Sequence, residues 1–305
     1  MTIEVCIPTI KAGIHCMDFF IDNLLSTASK PDEIMISASY HDEEDLAALR
    51  NSKHSSRISM MLKAPSYTEG MLISSSNHSS AINTLAKNSH CDIVIFSDYD
   101  MAFLKRGWDI CIENALKETD FFGTPYAPIE LGFGKDPTGG IAPWLVMQKM
   151  IKYQKVPNLG FFAISQDNLK KVLADGPLTN YDTFLVNGNL PFRFVFNHDM
   201  AKELNLPLGS INWMDTGYEI TQLPAKYGFT YKTLEYVFAK NSDVFTHKYL
   251  LSYIKDIFRP ELFYLDGEPF LFHFKKGSMK AQLGGDVNFF DYFVDDVKAW
   301  LKANH

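Results

Sequence analysis

Asp92-Ile93-Val94-Ile95-Phe96-Ser97-Asp98-Tyr99-Asp100 is the stretch that decides the fold class. Its centre, Ile93 to Phe96, is apolar on both faces, as a parallel strand is when helices cover the sheet on either side. Upstream, short apolar runs alternate with amphipathic helical patterns. A strand is predicted at residues 2–8, and a helix at 15–28 with Met17, Phe20, Ile21, Leu24 and Leu25 on one stripe. A second strand follows at 33–39, an acidic loop-to-helix segment from Asp42 to Arg50, and a third strand at 57–63. A helix opening near Asn77 turns Ala81, Ile82, Leu85 and Ala86 inward before the strand quoted above. This βαβαβαβ order predicts an α/β protein with a mainly parallel sheet flanked by helices.

Asp98 and Asp100 follow the fourth strand directly, and ligands of open parallel sheets bind outside the carboxyl ends of the strands. Alternate residues of an extended chain point the same way, so the two carboxylates can converge. Converging carboxylates repel unless a cation lies between them. All-oxygen ligands of this kind suit Mg²⁺ or Mn²⁺, which bind through one or two carboxylates plus substrate phosphates. On spacing alone, a solvated turn or a helix cap after the strand fits the same residues.

Downstream the pattern changes. A helix at 107–117 and a strand at 120–124 lead into a Gly/Pro-rich stretch, Gly123 to Pro143, of the length usual for a functional loop or lid. Within it, Gly132 to Asp136, Gly139-Gly140 and the neighbouring Trp144 could close over or stack on a ligand, or form a plain surface loop. A strand at 159–164, a helix from Gln166, a helix around 217–227, a strand at 269–274 and a closing helix at 288–303 complete the expected elements.

With 305 residues the chain can bury a large core without disulfide or metal staples. Charged residues make up 21% and hydrophobic residues 46%, which excludes disordered, collagenous and coiled-coil classes. The 24 Phe and 14 Tyr suit a core or a sugar-stacking surface equally. A net charge of −7 disfavours a nucleic-acid partner, which needs a basic stripe. No apolar run nears the roughly 18 residues of a membrane span, and the start Met1 to Pro8 lacks the basic and apolar regions of a signal peptide. A cytoplasmic protein is therefore expected. Cys6, Cys16, Cys91 and Cys111 lack metal-ligand spacing and are expected as reduced core residues.

Asn77-His78-Ser79-Ser80-Ala81-Ile82-Asn83, its helix, and Asp92 to Asp100 together resemble the Asp-x-Asp region of nucleotide-sugar glycosyltransferases of the GT-A fold. Ile7-Pro8-Thr9 is similar to the first strand and donor-binding turn of the family 2 type of these enzymes. The resemblance covers about the first 125 residues well and the rest loosely. It implies a Rossmann-like, mixed sheet, with residues 1–125 as the donor-binding half and 126–305 as the acceptor-binding and catalytic half. It further implies a sugar transfer, with a nucleoside diphosphate-sugar (UDP-sugar first) as donor and a glycan or other hydroxyl as acceptor. The expected cytoplasmic location suits action as in bacterial or viral systems that build glycans inside the cell.

Residue by residue, the resemblance implies that Pro8 and Thr9 contact the nucleoside, with Ser39 to Asp42 near the base. Asp98 would reach the ribose or the metal, and Asp100 would coordinate the metal, Mn²⁺ or Mg²⁺. In Trp213-Met214-Asp215-Thr216-Gly217-Tyr218-Glu219, Asp215 resembles the base of inverting members, although Met214 stands where a Glu is usual. Glu219 is a second catalytic candidate, and it also fits a capping box with Thr216. In Pro269-Phe270-Leu271-Phe272-His273-Phe274-Lys275-Lys276, strand alternation sets Phe270, Phe272 and Phe274 opposite Leu271, His273 and Lys275. His273 resembles the late metal ligand of this fold, with Lys275 and Lys276 near the diphosphate; a core histidine and a solvated strand end are the plain alternatives. His78 fits a donor contact or a polar residue at a helix start, and Asn197-His198-Asp199 carries titratable groups without an assigned role.

Two other classes compete. Aspartate-based phosphatases also place Asp-x-Asp after an apolar strand, but after the first strand and trailed by Gly and Thr or Val, whereas Met101 and Ala102 follow here. A non-catalytic sugar-nucleotide or glycan-binding protein and a retaining transferase both suit the same fold.

Overall fold

The computed structural model describes residues 1–9, 13–66, 73–125, 156–179, 218–238, 244, 261–274 and 287–304. In chain order the strands are β1 (Ile3–Pro8), β2 (Ile34–Tyr40), β3 (Ile58–Lys63), β4 (Ile93–Ser97), β5 (Met101–Phe103), β6 (Phe121–Pro125), β7 (Pro157–Ser165), β8 (Tyr231–Thr233), β9 (Glu235–Phe238), β10 (Glu261–Leu265) and β11 (Glu268–His273). The helices are α1 (Ile14–Thr27), α2 (Glu43–Asn51), α3 (Ile73–Asn88), α4 (Trp108–Glu118), α5 (Gln166–Asp175), α6 (Tyr218–Thr221), α7 (Leu223–Tyr227) and α8 (Val287–Asn304).

Seven strands form one sheet in the order β3-β2-β1-β4-β7-β6-β8. β3, β2, β1 and β4 run parallel, β7 lies antiparallel between β4 and β6, and β8 pairs parallel with β6. The sheet is mainly parallel and flanked by helices, as the βα alternation predicts, and mixed, as the resemblance implies. The chain builds β1, β2 and β3 outward in one direction and returns to set β4 against the other edge of β1, so the topological switch point, where open sheets of this kind bind ligands, falls at the carboxyl ends of β1 and β4.

Strand alternation divides the core into two layers. Ile3, Val5 and Ile7 of β1, with Ile93 and Ile95 of β4, pack against Met17, Phe20 and Leu24 of α1 and Trp108 and Ile112 of α4. Cys6, Val94 and Phe96 face the other way, onto Ile82 and Leu85 of α3 and Leu169 and Val172 of α5. Local chemistry fixes the helix ends: Asp42 caps α2 by accepting from the Asp45 amide, and Ser165 caps α5 by accepting from the Asn168 amide. The helix predicted over 217–227 divides into α6 and α7, because Pro224 cannot donate the hydrogen bond that would carry one helix through.

A second sheet, β5-β11-β10-β9, is antiparallel throughout. Of its strands, only β11 is predicted from sequence. Its outer face carries Phe272 and Phe274, which pack on Phe293 and Val297 of α8. Phe270 departs from the predicted alternation: it joins Leu271 in the main core, beside Phe103 and Phe122. A register shift between β10 and β11 causes this, since Phe263 pairs with Leu271 while Tyr264 pairs with Pro269. The four cysteines are free, with Cys6, Cys16 and Cys91 buried. No helix among the described residues is long and apolar enough to cross a membrane. Of the predicted loop from Gly123 to Pro143, the first three residues belong to β6, and the remainder, with Trp144 and Asn197 to Asp199, lies outside the described residues.

Candidate metal centre

β4 ends at Ser97, and the chain bends through Asp98, Tyr99 and Asp100 before β5 begins. Three sets of contacts hold this bend. The Asp98 amide donates to the Gly160 carbonyl on β7 at 3.1 Å, and the Phe274 amide donates to the Asp100 carbonyl at 2.7 Å. On the far edge of β5, the Asn23 side chain acts as a strand partner, accepting from the Phe103 amide at 2.6 Å and donating to its carbonyl at 3.0 Å. Tyr99, buried between the two aspartates, lies against Gly13 at the start of α1.

The antiparallel pairing of β5 with β11 sets Met101 opposite His273 and so brings the histidine to Asp100. Asp98, Asp100 and His273 each offer one ligand atom, all within 4.8 Å of one another. His273 Nε2 lies 3.2 Å from Asp100 Oδ1, and its Nδ1 lies 2.8 Å from Glu261 Oε2. Asp98 Oδ1 in turn lies 3.4 Å from His78 Nε2, on α3. Asp100 and His273 are buried and Asp98 is partly open, so the cluster has a dry side and a wet side.

Burial opposes a charge on His273, but the Asp100 carboxylate beside it and then Glu261 outweigh that and push its pKa up to about 10. A proton on the imidazole thus balances carboxylates that would otherwise repel. The donor set fits a hard divalent cation, with two carboxylate oxygens, one imidazole nitrogen, and an open side through Asp98 for further oxygen ligands.

The other expected residues are distributed as follows. Pro8 and Ser39 pair across β1 and β2 at the carboxyl edge of the sheet. Thr9 is buried next to them, and its hydroxyl donates to the Ile7 carbonyl at 3.1 Å. The Asp42 carboxylate caps α2. Glu219 is half-buried on α6, next to Ile220, which belongs to the core layer on the α3 side, and it is not part of the three-residue cluster. Asp215, Lys275 and Lys276 lie outside the described residues, as does Thr216 of the expected capping box.

Glu261 escapes the sequence reading. Its signal is present as Asp266-Gly267, the commonest two-residue hairpin turn, between Glu261 and His273. The hairpin brings the two strands together, but its regular register sets Phe272 opposite Glu261, and only the shift at Phe263/Tyr264 puts His273 there.

No protein-family model matches the chain, and no curated protein matches it. Among solved structures, the chain is similar to a mannosyltransferase from Pyrobaculum calidifontis in complex with GDP-Man and Mn²⁺, at 12% identity and a TM-score of 0.38 over 56% of this chain and 46% of that one. It is similar to glucosyl-3-phosphoglycerate synthase from Mycobacterium tuberculosis in complex with Mn²⁺, UDP and glucosyl-3-phosphoglycerate, at 15% identity and 0.35 over 54% of this chain and 57% of that one. It is also similar to the glycosyltransferase GlyE of Streptococcus pneumoniae, at 12% identity and 0.41 over 99% of this chain and 62% of that one. The chain thus spans about half the length of the first solved structures it matches.

Proposed function

We propose that the chain is a metal-dependent glycosyltransferase that moves a sugar from a nucleoside diphosphate-sugar, a UDP-sugar first, to an acceptor hydroxyl. The observation that carries this is the meeting of Asp98, Asp100 and His273 at the carboxyl end of β4, at the topological switch point between β1 and β4. In this assignment Asp98, Asp100 and His273 would hold Mn²⁺ or Mg²⁺, which when bound would supply neutralisation of charge on the departing diphosphate. Pro8 and Thr9 contact the nucleoside, Ser39 to Asp42 lie near the base, and Lys275 and Lys276 meet the diphosphate. The chain to residue 125 handles the donor, and the remainder handles the acceptor.

Asp215 takes the proton of the attacking hydroxyl, which makes the transfer inverting, and Glu219 is the second carboxylate for that role. A carboxylate is a weak base, so it accepts the proton late, as the bond to the leaving group breaks. The resemblance around Asp215 and the position of the metal cluster at the switch point support this division.

The test is a thermal-shift and calorimetric panel of UDP, GDP, CDP and dTDP, each with Mn²⁺, Mg²⁺ or EDTA. A donor nucleotide binds only the folded state and stabilises it in a cation-dependent way. Asp100→Asn is expected to lose that stabilisation, and Asp215→Asn to keep it while losing transfer. No response of the wild-type protein to any nucleotide would sink the assignment, and unimpaired transfer by Asp215→Asn would remove that residue from the role. Donor binding without transfer to any hydroxyl acceptor would favour a sugar-nucleotide-binding protein.

A further inference from the structure

Glu261 is a buried carboxylate in an aromatic strand, a placement that costs free energy unless a charged or hydrogen-bonding partner compensates. Its partner is Nδ1 of His273, at 2.8 Å, and this is the ring nitrogen that points away from Asp100. The imidazole is therefore shared between two carboxylates, one on each nitrogen. Glu261 stands behind the ring and Asp100 in front of it.

The hairpin explains why a carboxylate stands there. Asp266 and Gly267 both have positive φ, 53° and 85°, as a two-residue turn of the favoured hairpin type requires, and they fix Leu265 opposite Glu268. Carried unchanged down the ladder, that register would set Phe272 opposite Glu261. The shift at Phe263/Tyr264 adds one residue on β11, where Pro269 has no N–H to give the ladder, and His273 comes opposite Glu261 instead. The same strand pairs on its other side with Met101, so the register that aligns Glu261 with His273 also aligns His273 with the Asp98–Asp100 bend.

We infer that Glu261 is the positioning residue of this centre: it accepts a hydrogen bond from Nδ1–H of His273, fixing the ring orientation and the tautomer whose Nε2 faces Asp98 and Asp100. The inference rests on the metal-site assignment above and adds to it a residue that touches neither metal nor substrate. Such outer partners of metal-bound histidines hold the ring and raise its basicity, and losing one typically weakens metal binding about 10–100-fold.

The experiment uses the whole chain and metal alone. Mn²⁺ binding is measured by calorimetry on the wild-type protein, Glu261→Ala and Glu261→Gln, and the wild-type protein loaded with diamagnetic Cd²⁺ is read by long-range ¹H–¹⁵N correlation of its histidine rings. Glu261→Ala is expected to bind Mn²⁺ about 10–100-fold more weakly. Glu261→Gln, whose amide oxygen still accepts from Nδ1–H, is expected to recover part of that loss. The Cd²⁺ spectrum is expected to show His273 metal-bound at Nε2 with a downfield, slowly exchanging Nδ1–H, the mark of a hydrogen bond to Glu261, and this readout needs no variant to fold. Unchanged Mn²⁺ affinity in Glu261→Ala, or binding through Nδ1, would overturn the positioning role while leaving the metal site standing. Failure of the wild-type protein to bind Mn²⁺ would overturn both.

Discussion

His273 carries opposite demands. Without metal it is held charged, its pKa raised to about 10 against an ordinary 6.5 by Asp100 and Glu261 despite burial. As a ligand it must be neutral at Nε2. Below about pH 10, then, each cation that binds must displace one proton. The expected outcome is a Mn²⁺ affinity that rises about tenfold per pH unit across the neutral range, with uptake of one proton by buffer, measured by calorimetry in buffers of different ionisation enthalpy. His273→Gln should bind weakly and lose that slope. For the metal-free fold the sign is opposite. The raised pKa stabilises the native state fully below about pH 6.5, and that contribution is lost as pH rises toward 10. EDTA-treated protein should accordingly soften to urea between those values more than His273→Gln does.

Among the elements, the first βα turn and the aspartate bend depend on each other through one glycine. A Cβ at Gly13 would lie 2.1 Å from Tyr99 Cε2, and Tyr99 is a buried ring between Asp98 and Asp100. The constraint is close approach, since Gly13 has φ −102°, which any residue can adopt. Gly13→Ala must displace the ring, at a cost of about 1–3 kcal/mol for overpacking, and it should weaken Mn²⁺ binding by pulling the two carboxylates apart. Tyr99→Leu in the Gly13→Ala background should restore most of the stability, as read from denaturant midpoints. β5 illustrates the same dependence. Three residues long, it persists because β11 pairs with one edge and Asn23 supplies both hydrogen bonds on the other.

At the scale of the whole molecule, Phe103 joins the layers. Its ring stacks on Trp108 with centroids 4.3 Å apart, and it meets Phe161 of the large sheet and Phe270 of the small one edge-on. A fully buried aromatic in that position couples both sheets to α4. Phe103→Ala should cost about 3–5 kcal/mol and should also weaken Mn²⁺ binding, because β5 holds the aspartate bend and β11 the histidine. Equilibrium unfolding paired with metal titration tests this: a stability loss with intact metal affinity would show that the two sheets are less tightly coupled than their packing indicates.

Six of the seven strands of the large sheet were legible, all but β8, which at three residues is too short to show a period. Ile93 to Phe96 reads as a doubly buried strand, Met17 to Leu24 as one helical stripe, and both signals survive because local periodicity and tertiary burial agree there. Asp98, Asp100 and His273 could each be singled out by chemistry and by position after an apolar run. The second sheet was not legible. β5 and β9 are too short for a period to show, and β10, although alternate in burial class only at Tyr264, is nearly continuous aromatic and aliphatic chain that suits helix or strand alike. Phe270 was set on the wrong face because a one-residue register shift reverses every side chain beyond it, and that shift exists only in the pairing of β10 with β11. Sequence by itself determined the order of βα units, the strand that ends at the aspartates, and the types of residue able to bind a cation. Tertiary structure alone decided that a histidine 173 residues past Asp100 meets it, and that Glu261 stands behind that histidine, because both contacts are made across strand ladders between segments distant in the chain.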